Sequence, residues 1–236
     1  MNNWIINIQS LLMPPTCTLC AAPGVGQRDL CEPCHQSFPV NDLACAYCAI
    51  PLTEGHIGVC GQCLQTPPPY HRAIAAWRYE PPVDYCIQRL KFNKDLVFAR
   101  LLAGLFAEHL SKIYIKPEDK PDAIIPVPLH VKRIRERGFN QSVEIAKVIA
   151  HRLNIPLDLQ SCRRPKMTQP QADLPAEVRK QNVKGAFSFN PVKNYHRIAL
   201  LDDVMTTGHT LNELTKTIQQ LSDCAVEVWI CARANR

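Results

Sequence analysis

Long apolar runs are missing from this sequence: none approaches the roughly 18 residues that a helix needs to cross a bilayer. The opening MNNWIINIQSLLMPP has no Lys or Arg ahead of its apolar stretch, which argues against a secretory signal and leads us to expect a cytoplasmic protein. Low-complexity stretches are few and 46% of the residues are hydrophobic, so the composition is that of a soluble globular chain rather than a disordered one. Cations are nearly absent from residues 1–66, where Arg28 stands alone against Asp29, Glu32, Asp42 and Glu54. A segment of that charge repels a phosphate backbone, so a structural or protein-docking role is expected for it rather than direct contact with nucleic acid. No helix-turn-helix segment is evident, which weighs against a sequence-reading regulator. Trp4, Ile5, Ile8, Leu11 and Leu12 do share one helical face, the pattern of a short helix docking on its own fold.

What the acidic segment has in abundance is cysteine. Eight of the twelve cysteines form four CxxC pairs: Cys17/Cys20, Cys31/Cys34, Cys45/Cys48 and Cys60/Cys63. A CxxC turn aims two sulfurs at one point, and two such turns supply the four soft thiolates of a tetrahedral Zn²⁺ site. Four turns at nearly even spacing make two structural zinc sites, most simply by pairing neighbours into tandem ribbons. A cross-braced arrangement, first pair with third and second with fourth, satisfies the same spacing. A segment this small cannot bury much apolar surface, so metal binding should supply much of its folding free energy. Cys86, Cys162, Cys224 and Cys231 lie apart from the series and are expected to be buried packing.

The proline cluster in LQTPPPYHRA marks a boundary, giving a zinc module over residues 1–66 and a second domain over residues 67–236. Beyond it strands and helices alternate. Residues 73–79, 196–203 and 225–232 read as strands, and residues 122–128 begin as one. Residues 83–92, 96–113 and 142–153 read as helices, and residues 211–221 place Leu211, Leu214, Ile218 and Leu221 on one face. Alternation of this kind implies an α/β domain with a mostly parallel sheet covered on both faces. Such sheets bind ligands at the carboxyl ends of their strands.

One of those ends reads IALLDDVMTTGHT, residues 198–210. Two adjacent carboxylates at the end of a buried strand are costly unless something pairs with them, and the vicinal hydroxyls of a ribose, directly or through Mg²⁺, would do so. Thr206, Thr207, Gly208, His209 and Thr210 then lead into a helix, where hydroxyls, backbone N–H groups and the positive helix end converge on a spot of phosphate size. Charge is concentrated nearby. Residues 128–187 hold 12 Lys/Arg against 5 Asp/Glu, and the remainder of the chain is slightly acidic.

These residues carry a resemblance. The segment IALLDDVMTTGHT resembles the phosphoribosyl pyrophosphate (PRPP) motif of type I phosphoribosyltransferases. The resemblance implies that Asp202 and Asp203 contact the ribose hydroxyls and Mg²⁺, and that Thr206, Thr207, Gly208, His209 and Thr210 cup the 5′-phosphate. It also implies a pyrophosphate loop after the first core strand, at Val127, Pro128, Leu129 and His130, with Arg133 beside it. The segments IIPVPLHVKRIRERGFNQSVEIAKVIA and RRPKMTQPQADLPAEVRKQNVKGAFSF, together with the CxxC series, are similar to the ComF family of competence proteins and their GntX-like relatives. That likeness spans most of residues 15–234. It implies a double zinc ribbon fused to a type I phosphoribosyltransferase-like domain, handling imported single-stranded DNA in the cytoplasm during natural transformation.

Two readings follow. In the first, the protein is a DNA-handling factor with a PRPP pocket: Lys132, Arg133, Arg135, Arg137, Arg163, Arg164 and Lys166 contact single-stranded DNA, and the zinc module docks other DNA-uptake proteins. In the second, it is a phosphoribosyltransferase of base salvage using PRPP, or a related phosphorylated sugar, with Mg²⁺. The sequence names no acceptor nucleophile and no general base, although His130 and His209 stand near the motif. The polar, proline-punctuated residues 163–179 suit a mobile lid or a nucleic-acid contact, but stacking aromatics in the basic segment are scarce, and Phe187 and Phe189 are expected to pack in a strand.

Overall fold

A computed structural model describes residues 14–26, 28–53, 55, 58–167 and 183–235. The expected helix near Trp4 and most of the expected lid, residues 168–179, lie outside the described residues. Two short helices, α1 (Glu32–Gln36) and α2 (Gly61–Gln65), each begin one residue after a cysteine of a CxxC turn. The elements that follow are β1 (Arg72–Arg78), α3 (Val83–Asn93), α4 (Leu96–Ile113), β2 (Ala123–Pro126), α5 (Val131–Arg137) and α6 (Gln141–Leu153). After them come β3 (Cys162–Arg163), β4 (Ser188–Phe189), β5 (Arg197–Met205), α7 (His209–Gln219) and β6 (Ala225–Arg233).

Strands β1, β6, β5 and β2 form one sheet in that order, and every pairing is parallel. All four carboxyl ends therefore lie at the same edge of the sheet. The period-2 alternation of the strands divides the apolar residues between two cores. Ile74, Ile124, Leu201 and Trp229 pack with α3, α4 and α6 on one face. Ile198, Leu200, Val226 and Val228 pack with α7 and with Phe189 of the β3–β4 pair on the other. The α/β reading of the sequence thus holds, Cys86, Cys162, Cys224 and Cys231 are buried as expected, and Phe189 packs in β4, whereas Phe187 is buried just before that strand. Leu221 corrects it. Helix α7 ends at Gln219, so Leu221 falls past its last turn and is 63% exposed instead of facing the core.

The cysteine-rich segment wraps the free edge of β1. Backbone bonds run from Arg78 N to Pro39 O, from Asn41 N to Ala76 O and from Ala73 N to Tyr47 O. The Phe38 ring meets Trp77 edge-on at 5.4 Å. An uncovered edge would offer unpaired N–H and C=O groups to other chains, and here the segment bonds to three of them. The opposite edge is covered in the same way, with Ile124 N donating to Pro156 O and Asp158 N to Ile124 O. Among the described residues no helix is long and apolar enough to cross a membrane.

Candidate functional site

The thiolates gather by neighbouring pairs. Cys17, Cys20, Cys31 and Cys34 form one cluster and Cys45, Cys48, Cys60 and Cys63 the other, with the sulfurs of each within 4.8 Å of one another. None of these cysteines is in a disulfide. The Cys20–Cys31 and Cys48–Cys60 sulfur separations are 3.5 and 3.7 Å, close to the roughly 3.8 Å that a tetrahedral ion with 2.3 Å Zn–S bonds imposes. The donor set and spacing fit two structural zinc ions, and the cross-braced alternative is excluded. The two clusters lie on different faces of the sheet: Cys17, Cys31 and Leu30 join the core of α3, α4 and α6, whereas Ala49 and Cys48 join that of α7.

At the carboxyl edge of the sheet, β5 runs through the two acids and ends at Met205. The sequence reading ended the strand at Asp203; it runs on to Met205, and Asp202 pairs with Ile230 of β6. Helix α6 is capped by Asn140, whose side chain accepts from Ser142 N and donates to Val127 O at 2.9 Å. That cap aims the first turn of α6 at the acids. Ser142 Oγ donates to Asp202 Oδ1 at 2.9 Å, and Gln141 Nε2 donates to Asp203 Oδ1 at 3.3 Å. From α3, Lys91 forms an ion pair with Asp203 Oδ2. Burial works against the ionised Asp203, but Lys91 and the hydrogen bonds outweigh it and hold its carboxyl below the ordinary range. Asp202 goes the other way: burial first, then the charge of Asp203, push it up to about 7.

The two loops named from the sequence flank these acids. Val127 N donates to Leu201 O at 2.8 Å, which starts the residue 127–130 loop next to the point where β5 reaches the acids, and His130 caps α5 by accepting from Lys132 N. On the other side Gly208, at φ +77°, is the N-cap of α7. A side chain there would be strained by that backbone angle and would lie 3.4 Å from Met205 Sδ. Thr207 Oγ1 is buried with no hydrogen-bond partner among the described residues, a donor left for something that enters the loop.

The basic residues divide into two sets. Arg137 Nη1 donates to Gln141 Oε1 at 2.5 Å, and burial pulls its guanidinium below the usual range while Asp203 and Asp202 pull it back. Arg164 is likewise lowered by burial, opposed by Asp202 and reinforced by Arg133, and its guanidinium lies 5.2 Å from the Phe187 ring centre. Arg137 and Arg164 therefore border the acids, and Arg133, paired with Glu136 at 3.5 Å, lies near both. Lys132, Arg135, Arg163 and Lys166 are exposed around them.

Four participants escaped the sequence reading: Lys91, Gln141, Ser142 and Phe92. Phe92, 73% exposed, stands between Lys91 and Lys94, and Lys94 Nζ approaches Gly138 at the end of α5. The residue after α3 thus reaches the end of the basic helix, and Phe92 is an exposed aromatic in the last turn of α3.

Residues 8–64 match the family model for a double zinc ribbon domain. The DNA utilization protein YhgH of Escherichia coli K12 is 34% identical over 226 residues, covering 94% of this chain and 99% of that protein. Competence protein F of Haemophilus influenzae is 35% identical over 224 residues, 89% of this chain and 93% of that one. A solved purine phosphoribosyltransferase from Pyrococcus horikoshii overlaps 56% of this chain and 82% of its own at 17% identity, with a TM-score of 0.33. On its double ribbon and its likeness to these relatives along nearly its whole length, the chain belongs to the ComF family of competence and DNA utilization proteins.

Proposed function

We propose that this protein serves the uptake or use of external DNA, handling single-stranded DNA beside a pocket for PRPP or a closely related phosphorylated pentose. The observation that carries the pocket is the pair Asp202 and Asp203, organised by Ser142, Gln141 and Lys91 between two loops at one sheet edge. In this reading the two carboxylates accept the vicinal hydroxyls of the sugar. Residues 206–210 enclose the 5′-phosphate, with Thr207 Oγ1 as one of the donors. Residues 127–130 and the half-buried Arg133, Arg137 and Arg164 face the pyrophosphate. Mg²⁺, with Asp202 as a candidate ligand, would neutralise phosphate charge when bound.

The exposed set, Lys132, Arg135, Arg163 and Lys166, then forms a track for a nucleic-acid backbone, with Phe92 as a stacking surface at its margin. The zinc module bonds to the β1 edge and presents an acidic surface suited to protein docking rather than to nucleic acid. The test is calorimetric titration of the zinc-loaded protein with PRPP and Mg²⁺, with and without a short oligonucleotide, followed by an assay for released pyrophosphate. Binding with DNA-dependent release would establish an enzyme acting on DNA or on something DNA recruits. Release that requires an added free base instead of DNA would point to salvage of a small acceptor, and absence of binding would overturn the pocket.

A further inference from the structure

Arg233, the last residue of β6, is 1% exposed and its guanidinium donates to four backbone carbonyls. Its Nε donates to Cys48 O at 2.9 Å. Its Nη1 donates to Met205 O at 2.9 Å, to Ala234 O at 2.8 Å and to Thr206 O. Cys48 is a thiolate of the second cluster, and Met205 and Thr206 form the entry to the loop that ends in Gly208. One planar cation, 185 residues from Cys48 in sequence, therefore bridges a zinc-binding turn and the threonine-glycine loop. Tyr70, buried, donates from its hydroxyl to Met205 Sδ at 3.8 Å, and that sulfur lies beneath Gly208. The first cluster lies elsewhere: Cys17, Cys31 and Cys34 pack in the opposite core.

We infer that the second thiolate cluster controls the conformation of the residue 206–210 loop through Arg233, so that metal occupancy there, and not at the first cluster, sets whether the loop is formed. The physical reason is geometric. A guanidinium presents donors in a fixed fork, so the positions of three carbonyl groups are tied to one another only while each is held. The Cys48 carbonyl is held by the turn whose thiolate ligates the metal. When that turn is released, Arg233 loses an anchor and the Met205 and Thr206 carbonyls lose their register. Arg233 is a positioning residue in this account and touches no ligand. The significance of the coupling rests on the loop's being the phosphate-binding loop; the coupling itself does not.

The test reads hydrogen–deuterium exchange of peptides spanning residues 205–211 in the zinc-loaded full chain, with no sugar phosphate present. Cys60→Ser should raise exchange in these peptides about tenfold, while Cys34→Ser should change it by no more than about twofold. Peptides from β5 before Leu201 and from β6 report whether each variant remains folded. Arg233→Gln should reproduce the rise with both metals retained, and Arg233→Lys, a point charge without the fork, should fall between. The double variant Cys60→Ser/Arg233→Gln should exchange no faster than the greater single variant, since both act through one link. Should Cys60→Ser fail to fold, Arg233→Gln decides alone: unchanged protection of residues 205–211 overturns the inference. Additive effects in the double variant, or an equal response to Cys34→Ser, overturn it as well. A wild-type protein that bound no PRPP would refute the pocket and leave this exchange result standing.

Discussion

The two sides of the candidate pocket are held by different means. The acids are held by side-chain charge from the face that carries α3, α4 and α6: Lys91 neutralises Asp203, while Ser142 and Gln141 orient the two carboxylates. The threonine-glycine loop is held by its backbone, gripped by Arg233, which also donates to Cys48 O of the second thiolate cluster. The difference teaches where each half is vulnerable. The acidic half should respond to pH and to charge substitution, and the loop half to metal and to loss of backbone anchors.

Removing Lys91 should produce the largest effect that separates them. Lys91→Met leaves Asp203 buried without its counter-charge, which costs about 3 kcal/mol of stability near neutral pH. Asp203 has a depressed pKa, so the stability it contributes is present above its ordinary titration range and is lost as pH falls through its lowered value. Thermal melts of wild type and Lys91→Met should therefore differ at pH 7 and converge in acid. A difference that persists in acid would show that Lys91 acts by packing rather than by charge.

Asp202 supplies a smaller effect of opposite sign. Its carboxyl is pushed up to about 7 by burial and by Asp203. A raised pKa means that stability is full below the ordinary carboxylate value and declines as pH rises through the folded one. Asp202→Asn should thus stabilise the ligand-free protein by about 1–2 kcal/mol above pH 7, with the gain shrinking toward pH 4. The same variant should abolish PRPP binding. Such a trade of stability for function is expected at a ligand site. Equal melting of the two proteins across that range would remove Asp202 from the strained half.

The smallest effect concerns the basic rim. Replacing Lys132 or Arg135 by Ala should weaken oligonucleotide binding and reduce the slope of log affinity against log salt by about one each. PRPP affinity should barely change, because both residues are exposed around the pocket rather than in it. A matching loss of PRPP affinity would merge the two basic sets that the fold separates.

How much of this was legible in the sequence depends on how local each signal is. The CxxC spacing and the run of apolar residues into Asp202, Asp203 and the threonine-glycine loop are local patterns, and the fold places both as read. The pairing of cysteine turns was open on spacing alone, since two connectivities satisfy it, and only the fold decides between them. Lys91 and Phe92 lie in a helix more than 100 residues before the acids, and nothing local distinguishes either from a solvated residue. Arg233 did carry a signal. It closes the buried strand AVEVWICAR as the acids close theirs, and a charge at the end of an apolar run demands partners in both cases. Leu221 shows the converse, since helical periodicity continued on paper past the residue where α7 stops.

The central claim is that Asp202, Asp203 and residues 206–210 together hold a phosphorylated pentose. Calorimetry of the zinc-loaded protein with PRPP and Mg²⁺ tests it most directly, run beside the Asp202→Ala/Asp203→Ala variant. Saturable binding by the wild type, abolished in the variant while its melting shows it folded, is the expected result. Equal binding by both proteins, or none by the wild type, would contradict the account.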